Sequence, residues 1–360
     1  MGEKTYVDKH LESEMGSFKE PKVRLEEVEK EGTSCREDGD LEKALSLGMQ
    51  RLALSKLCYE DASTPNRELM MGQAHSNLST IYNEMGLGEQ SLNHALEALK
   101  RIDPRKTGES ENNDFTVECL MAVAKAMIQR SDPECVNYLK RALVVNHELH
   151  GPDAYEKIAG GSKDKAFHSG GSRDARMGDM FGNAARTRSR QGNDVEAAVI
   201  YDKAVACLEN ASNPNKSKLA QMCYELGVSH HKAKQYSYSK GALDKAAEYC
   251  AKTTKDGTGI EPLYMLITKQ QAFTMYDGNE VEAAKATFEA LKALQKKEYG
   301  DDSVIVAETL KYLGDVHVAL KNKPQASTYY KHALRILRKR LGNIDQTVRQ
   351  LEQYIRQLNL

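Results

Sequence analysis

Three small residues recur at fixed intervals along most of this chain, and that recurrence constrains its fold more than any other feature. Between Val304 and Leu341, Gly314 is followed twelve residues on by Ala326 and seven further on by Ala333. Small side chains at helical spacing let two helices approach closely, and bulky neighbours such as Leu313 and Tyr330 fill the groove beside them. The break at Lys321 to Pro324 separates the two helices, so the stretch predicts a helical hairpin. Upstream, the first mark falls on Ala272, Gly227, Ala185, Val123, Ser79 and Gly32. The second falls on Ala284, Ser239, Ala197, Cys135, Ser91 and Ala44, and the third on Leu291, Ala246, Ala204, Ala142, Ala98 and Arg51. One hairpin cannot bury its own apolar face, whereas a row of them can, so seven hairpins are predicted. Hairpin one fits worst: Gly48 stands where bulk is expected, and Arg51 where a small residue is.

These offsets resemble those of the tetratricopeptide repeat (TPR). The resemblance implies an all-α, TPR-type helical-hairpin solenoid of about seven hairpins. The stripe Val348, Leu351, Ile355 and Leu358 predicts a C-terminal capping helix with one wet face. Composition agrees, since 8 Pro, no Trp and abundant Ala, Leu, Lys and Glu favour helix. With 360 residues, 40% of them hydrophobic, the chain can bury a sizeable core without splitting into globular domains. A formal net charge of -1 argues against a protein dedicated to nucleic acid or an anionic membrane.

In order, residues 1–18 read as a disordered polar tail, 19–158 as hairpins one to three and 159–172 as a Gly-rich linker or loop. Residues 173–344 read as hairpins four to seven and 345–360 as the cap. The step from Val123 to Ala185, longer than the others, spans the glycine-rich segment. The first helix of hairpin three is apolar on more than one face (Leu120, Met121, Val123, Ala124, Met127, Ile128), so the linker or a partner should cover it. Seven cysteines without a CxxC pair suit a reducing, cytoplasmic setting. No run reaches membrane-spanning length, so no membrane insertion is expected. Tyr6 stands where an N-myristoylation motif needs Ser or Thr.

No catalytic, cofactor or metal motif emerges. His230 and His231 are adjacent, hence on different helix faces, and read as solvent-facing. HExxH is absent, and GGSKDK lacks the strand a phosphate loop follows. The expectation is therefore no enzyme, no cofactor and no metal.

Binding is the better reading. TPR resemblance implies that the first helix of each hairpin lines a concave groove. The inward places fall on Asn77, Thr80 and Asn83, then on Asn183, Arg186 and Arg190. They continue with Tyr224 and His231, Lys269 and Tyr276, and Lys311 and Asp315. The predicted partner site is Asn77, Asn183, Arg186, Arg190, Tyr224, His231, Lys269 and Lys311. Asn amides grip an extended main chain and Arg forks a carboxylate, so an acidic peptide segment suits the groove. The alternative for the arginines is a solvated helix end, where basic charge is also favourable. Ser76 stands where a carboxylate clamp needs Lys, and hairpin three is apolar there, against a chaperone-type clamp.

Three stretches carry a closer resemblance: LALSKLCYED before AHSNL, ENND followed later by YLKRALVVNHELH, and EYGDDSVIVAETLKYLGD. With them the chain, from about residue 40 to 350, is similar to the tetratricopeptide repeat protein 23 and 23-like family. That implies a non-enzymatic adaptor at the primary cilium and microtubules, linked to Hedgehog signalling at the ciliary base. The 159–172 segment departs from that family. The glycine-acid endings ELHGPDAY, KEYGDDS and KRLGNID resemble kinesin light chain repeats, which implies a motor-cargo adaptor as the alternative. Direct microtubule binding through Arg173 to Arg190 is a further one.

Overall fold

The computed structural model describes residues 20–59, 67–102, 113–150, 173–211, 213–253 and 262–358. The expected tail at 1–18 and the glycine-rich segment at 159–172 lie outside them. The described residues form fifteen helices and no strand. In order they are α1 (Pro21–Glu37), α2 (Leu41–Cys58), α3 (Arg67–Glu84), α4 (Gly88–Ile102), α5 (Asp114–Gln129), α6 (Cys135–His150), α7 (Arg173–Arg190) and α8 (Asp194–Glu209). Then come α9 (Lys216–Lys232), α10 (Tyr236–Thr253), α11 (Pro262–Asp277), α12 (Val281–Tyr299), α13 (Val304–Ala319), α14 (Lys323–Leu341) and α15 (Gln346–Gln357).

The chain forms two compact units, Met1–Thr187 with Asn210–Asn213, and Arg188–Glu209 with Pro214–Leu360. In the N-terminal unit α1 to α6 pack each on the next, and first helices α3 and α5 also touch. In the C-terminal unit α8 to α15 do the same, with α9 against α11.

One turn is used seven times. Gly39, Gly86, Ser131, Gly192, Lys234, Asn279 and Lys321 each adopt a left-handed backbone, φ between 57° and 83°. The next N–H in each case donates to the carbonyl five residues back, as Asn322 does to His317 (2.8 Å) and Glu280 to Met275 (2.7 Å). This closure satisfies the end of each first helix and reverses the chain. Side-chain caps then start several helices: Asp40 accepts from Lys43 N–H, Ser303 from Val306 and Asn322 from Gln325.

Most of the recurring marks lie in the interior. Ala272, Ala185, Ala326, Ala284, Ala197, Ala44, Ala333, Ala246, Ala204, Ala142 and Ala98 are all fully buried. Where serine replaces alanine, its hydroxyl finds the facing helix: Ser91 Oγ donates to the Ser79 carbonyl and Ser239 Oγ to that of Gly227, each at 2.8 Å. Hairpin three corrects the expected register. Its turn residue, Ser131, places the first mark on Ala124, not Val123. The loop through Pro133 is one residue shorter, and α6 starts with three-residue turns in which Cys135 N–H donates to the Asp132 carbonyl and Val136 N–H to that of Pro133, each at 3.4 Å. Val123 and Ala124 are equally buried, so periodicity did not separate them.

Hairpin one is also explained. A β-carbon on Gly48 would lie 2.9 Å from Leu78 Cδ2, so the absence of bulk lets α2 meet α3. Arg51 is tolerated because its guanidinium bonds Glu29 of α1 at 2.8 Å. The apolar α5 is covered by the chain itself, since Val117, Leu120, Met121, Val123, Ala124 and Met127 are buried where α3, α4 and α6 pack around it. At the other end, Val348, Leu351 and Ile355 of α15 close a core containing Val306, Leu310, Tyr330 and Leu337.

Candidate functional site

Of the predicted partner residues, Asn183, Arg190 and Lys311 are exposed, whereas Asn77, Arg186, Tyr224, His231 and Lys269 are half-buried. In the N-terminal unit Asn77 is half-buried, its Oδ1 next to Gly48. Asn83 is spent on packing: its amide donates to Gln129 Oε1 (3.3 Å), and Gln129 Nε2 donates back to its carbonyl (3.1 Å). Asn183 is exposed and accepts from the half-buried Arg186 (Nη1 to Oδ1, 2.8 Å). Arg176 grips Glu118 of α5 through both terminal nitrogens, at 2.7 and 3.4 Å.

In the C-terminal unit the arginines divide. Arg188 is held in the turn by Gln191 (3.1 Å) and Glu196 (3.2 Å), whereas Arg190 is exposed. Tyr224 is half-buried, and burial raises its phenol above the usual range.

The histidine pair corrects the sequence expectation, for neither ring is turned to solvent. His230 is buried, bonds Gln235 (2.7 Å) and stacks on Tyr238. His231 has both ring nitrogens engaged, Nδ1 with Thr274 Oγ1 and Nε2 with Asp277, each at 3.2 Å. Thr274 in turn meets Ser239 Oγ at 3.0 Å. A polar chain thus crosses α9, α10 and α11 where an apolar contact would serve elsewhere. The close packing of successive hairpins, invisible in a single helix pattern, takes up these rings.

Lys269 and Lys311 do come together. They hold the same place on successive first helices, three residues before Ala272 and Gly314. Both ammonium groups lie over the ring of Tyr312, at 5.3 and 5.9 Å from its centroid. Glu308 approaches Lys269 at 3.8 Å. Sequence reading missed Tyr312, although two lysines at one place in adjacent hairpins, with an aromatic beside one, was an available signal.

Further features were not legible from pattern. His75 and His94 share a hydrogen bond between Nδ1 atoms at 3.0 Å, and burial with the neighbouring His94 lowers the His75 pKa to about 3. Thr309 donates to Gln295 Oε1 (2.6 Å), both buried. Burial pushes the thiols of Cys119 and Cys223 up to about 12, away from nucleophilic use. Among the described residues no three His, Cys, Asp or Glu side chains group as metal ligands, and no helix is long and apolar enough to cross a membrane.

Residues 265–339 match the tetratricopeptide repeat family. No curated protein matches the chain. Among solved structures it is similar to the C-terminal part of a TPR repeat-containing protein from Cytophaga hutchinsonii, with 12% identity, a TM-score of 0.50, and coverage of 89% of this chain and 98% of that one. BtubC from P. vanneervenii is similar at 18% identity and TM-score 0.47, over 72% and 92% of the two chains. A tetratricopeptide repeat protein from Parabacteroides merdae is similar at 13% and 0.39, over 91% and 96%. The first likeness and the repeated hairpin geometry show the fold, an all-α solenoid of TPR type.

Proposed function

We propose that the chain is a non-enzymatic protein-interaction scaffold that holds an extended, acidic partner segment along the face of its first helices. The observation that carries this reading is the division of labour within each hairpin. Small and apolar residues are consumed by packing, while Arg190, Lys269 and Lys311 vary on the outer face of a rigid frame. Such a frame presents side chains without the ordering cost a flexible binder meets.

The sequence resemblance to the tetratricopeptide repeat protein 23 family supports a cytoplasmic setting at the cilium, its base or associated microtubules. Proximity labelling with the tagged chain, in ciliated cells and in the same cells before ciliation, tests it. Enrichment of ciliary-base or axonemal proteins is expected. A diffuse cytosolic neighbourhood would refute the ciliary setting.

A motor-cargo adaptor of the kinesin light chain type is the second reading. It is favoured by the resemblance of the endings KEYGDDS and KRLGNID, in which Gly300 and Gly342 end α12 and α14 with φ of 81° and 87°. Enrichment of motor subunits in the same experiment would support it. Direct microtubule binding would show as co-sedimentation that moderate salt abolishes.

A further inference from the structure

We infer that the rim where α12 and α14 end is a contact for an anionic membrane surface: Ile344, Leu341 and Tyr299 reach into the headgroup layer, and the basic residues around them meet lipid phosphates. This stands apart from the scaffold reading and uses second helices of the hairpins, not first ones.

The near-neutral chain hides an uneven distribution of charge. Residues 321–360 hold nine Lys and Arg against two Asp and Glu, although the whole chain is formally -1. α14 has six of these cations and no acid, and Lys331, Arg335, Arg338 and Lys339 recur at helical spacing along one exposed stripe. Burial, Arg335 and Lys296 of α12 together lower the pKa of His332, which lies beside that stripe. Acids of the rim are mostly engaged: Asp301 pairs with Lys296 (3.0 Å), Asp302 with Lys339 and Arg335, and Glu352 with Arg338 (2.6 Å) and Arg356 (3.6 Å). Asp345 caps α15, and Glu298 is exposed. Against these five acids, residues 296–302, 331–340 and 345–357 carry nine Lys and Arg, so the rim stays positive.

Apolar side chains stand among those charges. Ile344 is 80% exposed, Tyr299 43% and Leu341 39%. Tyr299 and Leu341 hold the same place in successive hairpins, each just before the glycine that ends its helix. The two ends are tied together, since Arg340 Nε donates to the Asp302 carbonyl at 2.8 Å and Lys339 pairs with the Asp302 carboxylate. Basic residues at a helix end are accounted for by its partial negative charge alone. An isoleucine held in water among them is not. Exposed apolar groups rimmed by cations suit a lipid headgroup layer, which takes up both at once. A phosphate polymer such as RNA would use the cations and leave Ile344 in water. Among the described residues no helix is long and apolar enough to cross a membrane, so the contact is with the surface.

The test is co-sedimentation of the full chain with vesicles of phosphatidylcholine mixed with phosphatidylserine, and with vesicles of phosphatidylcholine alone, at low ionic strength. We expect binding to the mixed vesicles only, weakened about tenfold by Arg335→Ala with Lys339→Ala and about fivefold by Ile344→Ser. Ile344→Ser should leave the thermal melt unchanged, because that side chain stands in water. Lys216→Ala with Lys218→Ala, two exposed lysines of α9, removes the same charge and should leave binding unchanged. Failure to sediment with the mixed vesicles, equal binding to phosphatidylcholine alone, or equal loss with the α9 pair overturns the proposal. Indifference to Ile344→Ser also overturns it, and capture of a labelled oligouridine by the same cations would then assign the rim to nucleic acid.

Discussion

Gly314 and Tyr330 compete for one space in the last hairpin: a β-carbon at 314 would lie 2.5 Å from Tyr330 Cε1, closer than carbon atoms pack. The ring is fully buried and its hydroxyl donates to Asp315, so it cannot swing away freely. Gly314→Ala should therefore destabilise the C-terminal unit by about 1–3 kcal/mol, through overpacking. Chemical denaturation followed by circular dichroism measures it, and an unchanged midpoint would refute the close approach.

The hairpin turns predict the opposite sign. Lys234 and Lys321 hold left-handed backbones (φ 59° and 58°) that L side chains adopt at a cost. Lys234→Gly and Lys321→Gly should each raise stability by about 0.5–1 kcal/mol, whereas Gly86→Ala should lower it by a similar amount. Thermal melts of the three variants discriminate; loss of stability in the glycine variants would count against the turn argument.

Acid should weaken the N-terminal unit. His75 in the fold has a pKa of about 3 against an ordinary value of 6.5, because burial, His94, Arg101 and Lys56 all disfavour its charge. Below pH 6.5 the unfolded chain takes a proton that the folded chain refuses. Its contribution is complete above that pH and is lost as pH falls towards 3, at up to about 1.4 kcal/mol per pH unit. His75→Asn, which keeps a polar atom facing His94, should flatten the pH dependence of the unfolding midpoint by about one proton. Identical slopes would remove His75 as the cause.

The cap is predicted to hold the last hairpin shut. Leu351, 3% exposed, sits with Val306, Tyr330 and Leu337. Leu351→Ala should cost about 2–5 kcal/mol and expose apolar surface to a hydrophobic dye. Dye binding equal to wild type would show that α14 needs no cover.

The exposed arginine argues for a charge-reversal test of the partner face. Arg190 is exposed and Arg186 half-buried beside Asn183. Arg186→Glu with Arg190→Glu should leave the helical melt unchanged while reducing recovery of the principal labelled partner about tenfold. Unchanged recovery would exclude this part of the face.

What the sequence determined by itself was the repeat. Gly314, Ala326 and Ala333 and their counterparts are spaced by helix geometry, which is local, so hairpins and their close contacts could be read directly. The cap stripe Val348, Leu351 and Ile355 was legible for the same reason. Tertiary structure alone decided what depends on atoms brought together from separate hairpins. It moved the hairpin-three mark to Ala124 through the shortened Pro133 turn, and covered α5 with its neighbours. It spent His231 on Thr274 and Asp277, and set Lys269 beside Lys311 over Tyr312. None of these follows from periodicity, because periodicity states which side of a helix is buried and leaves open which atoms will meet it there.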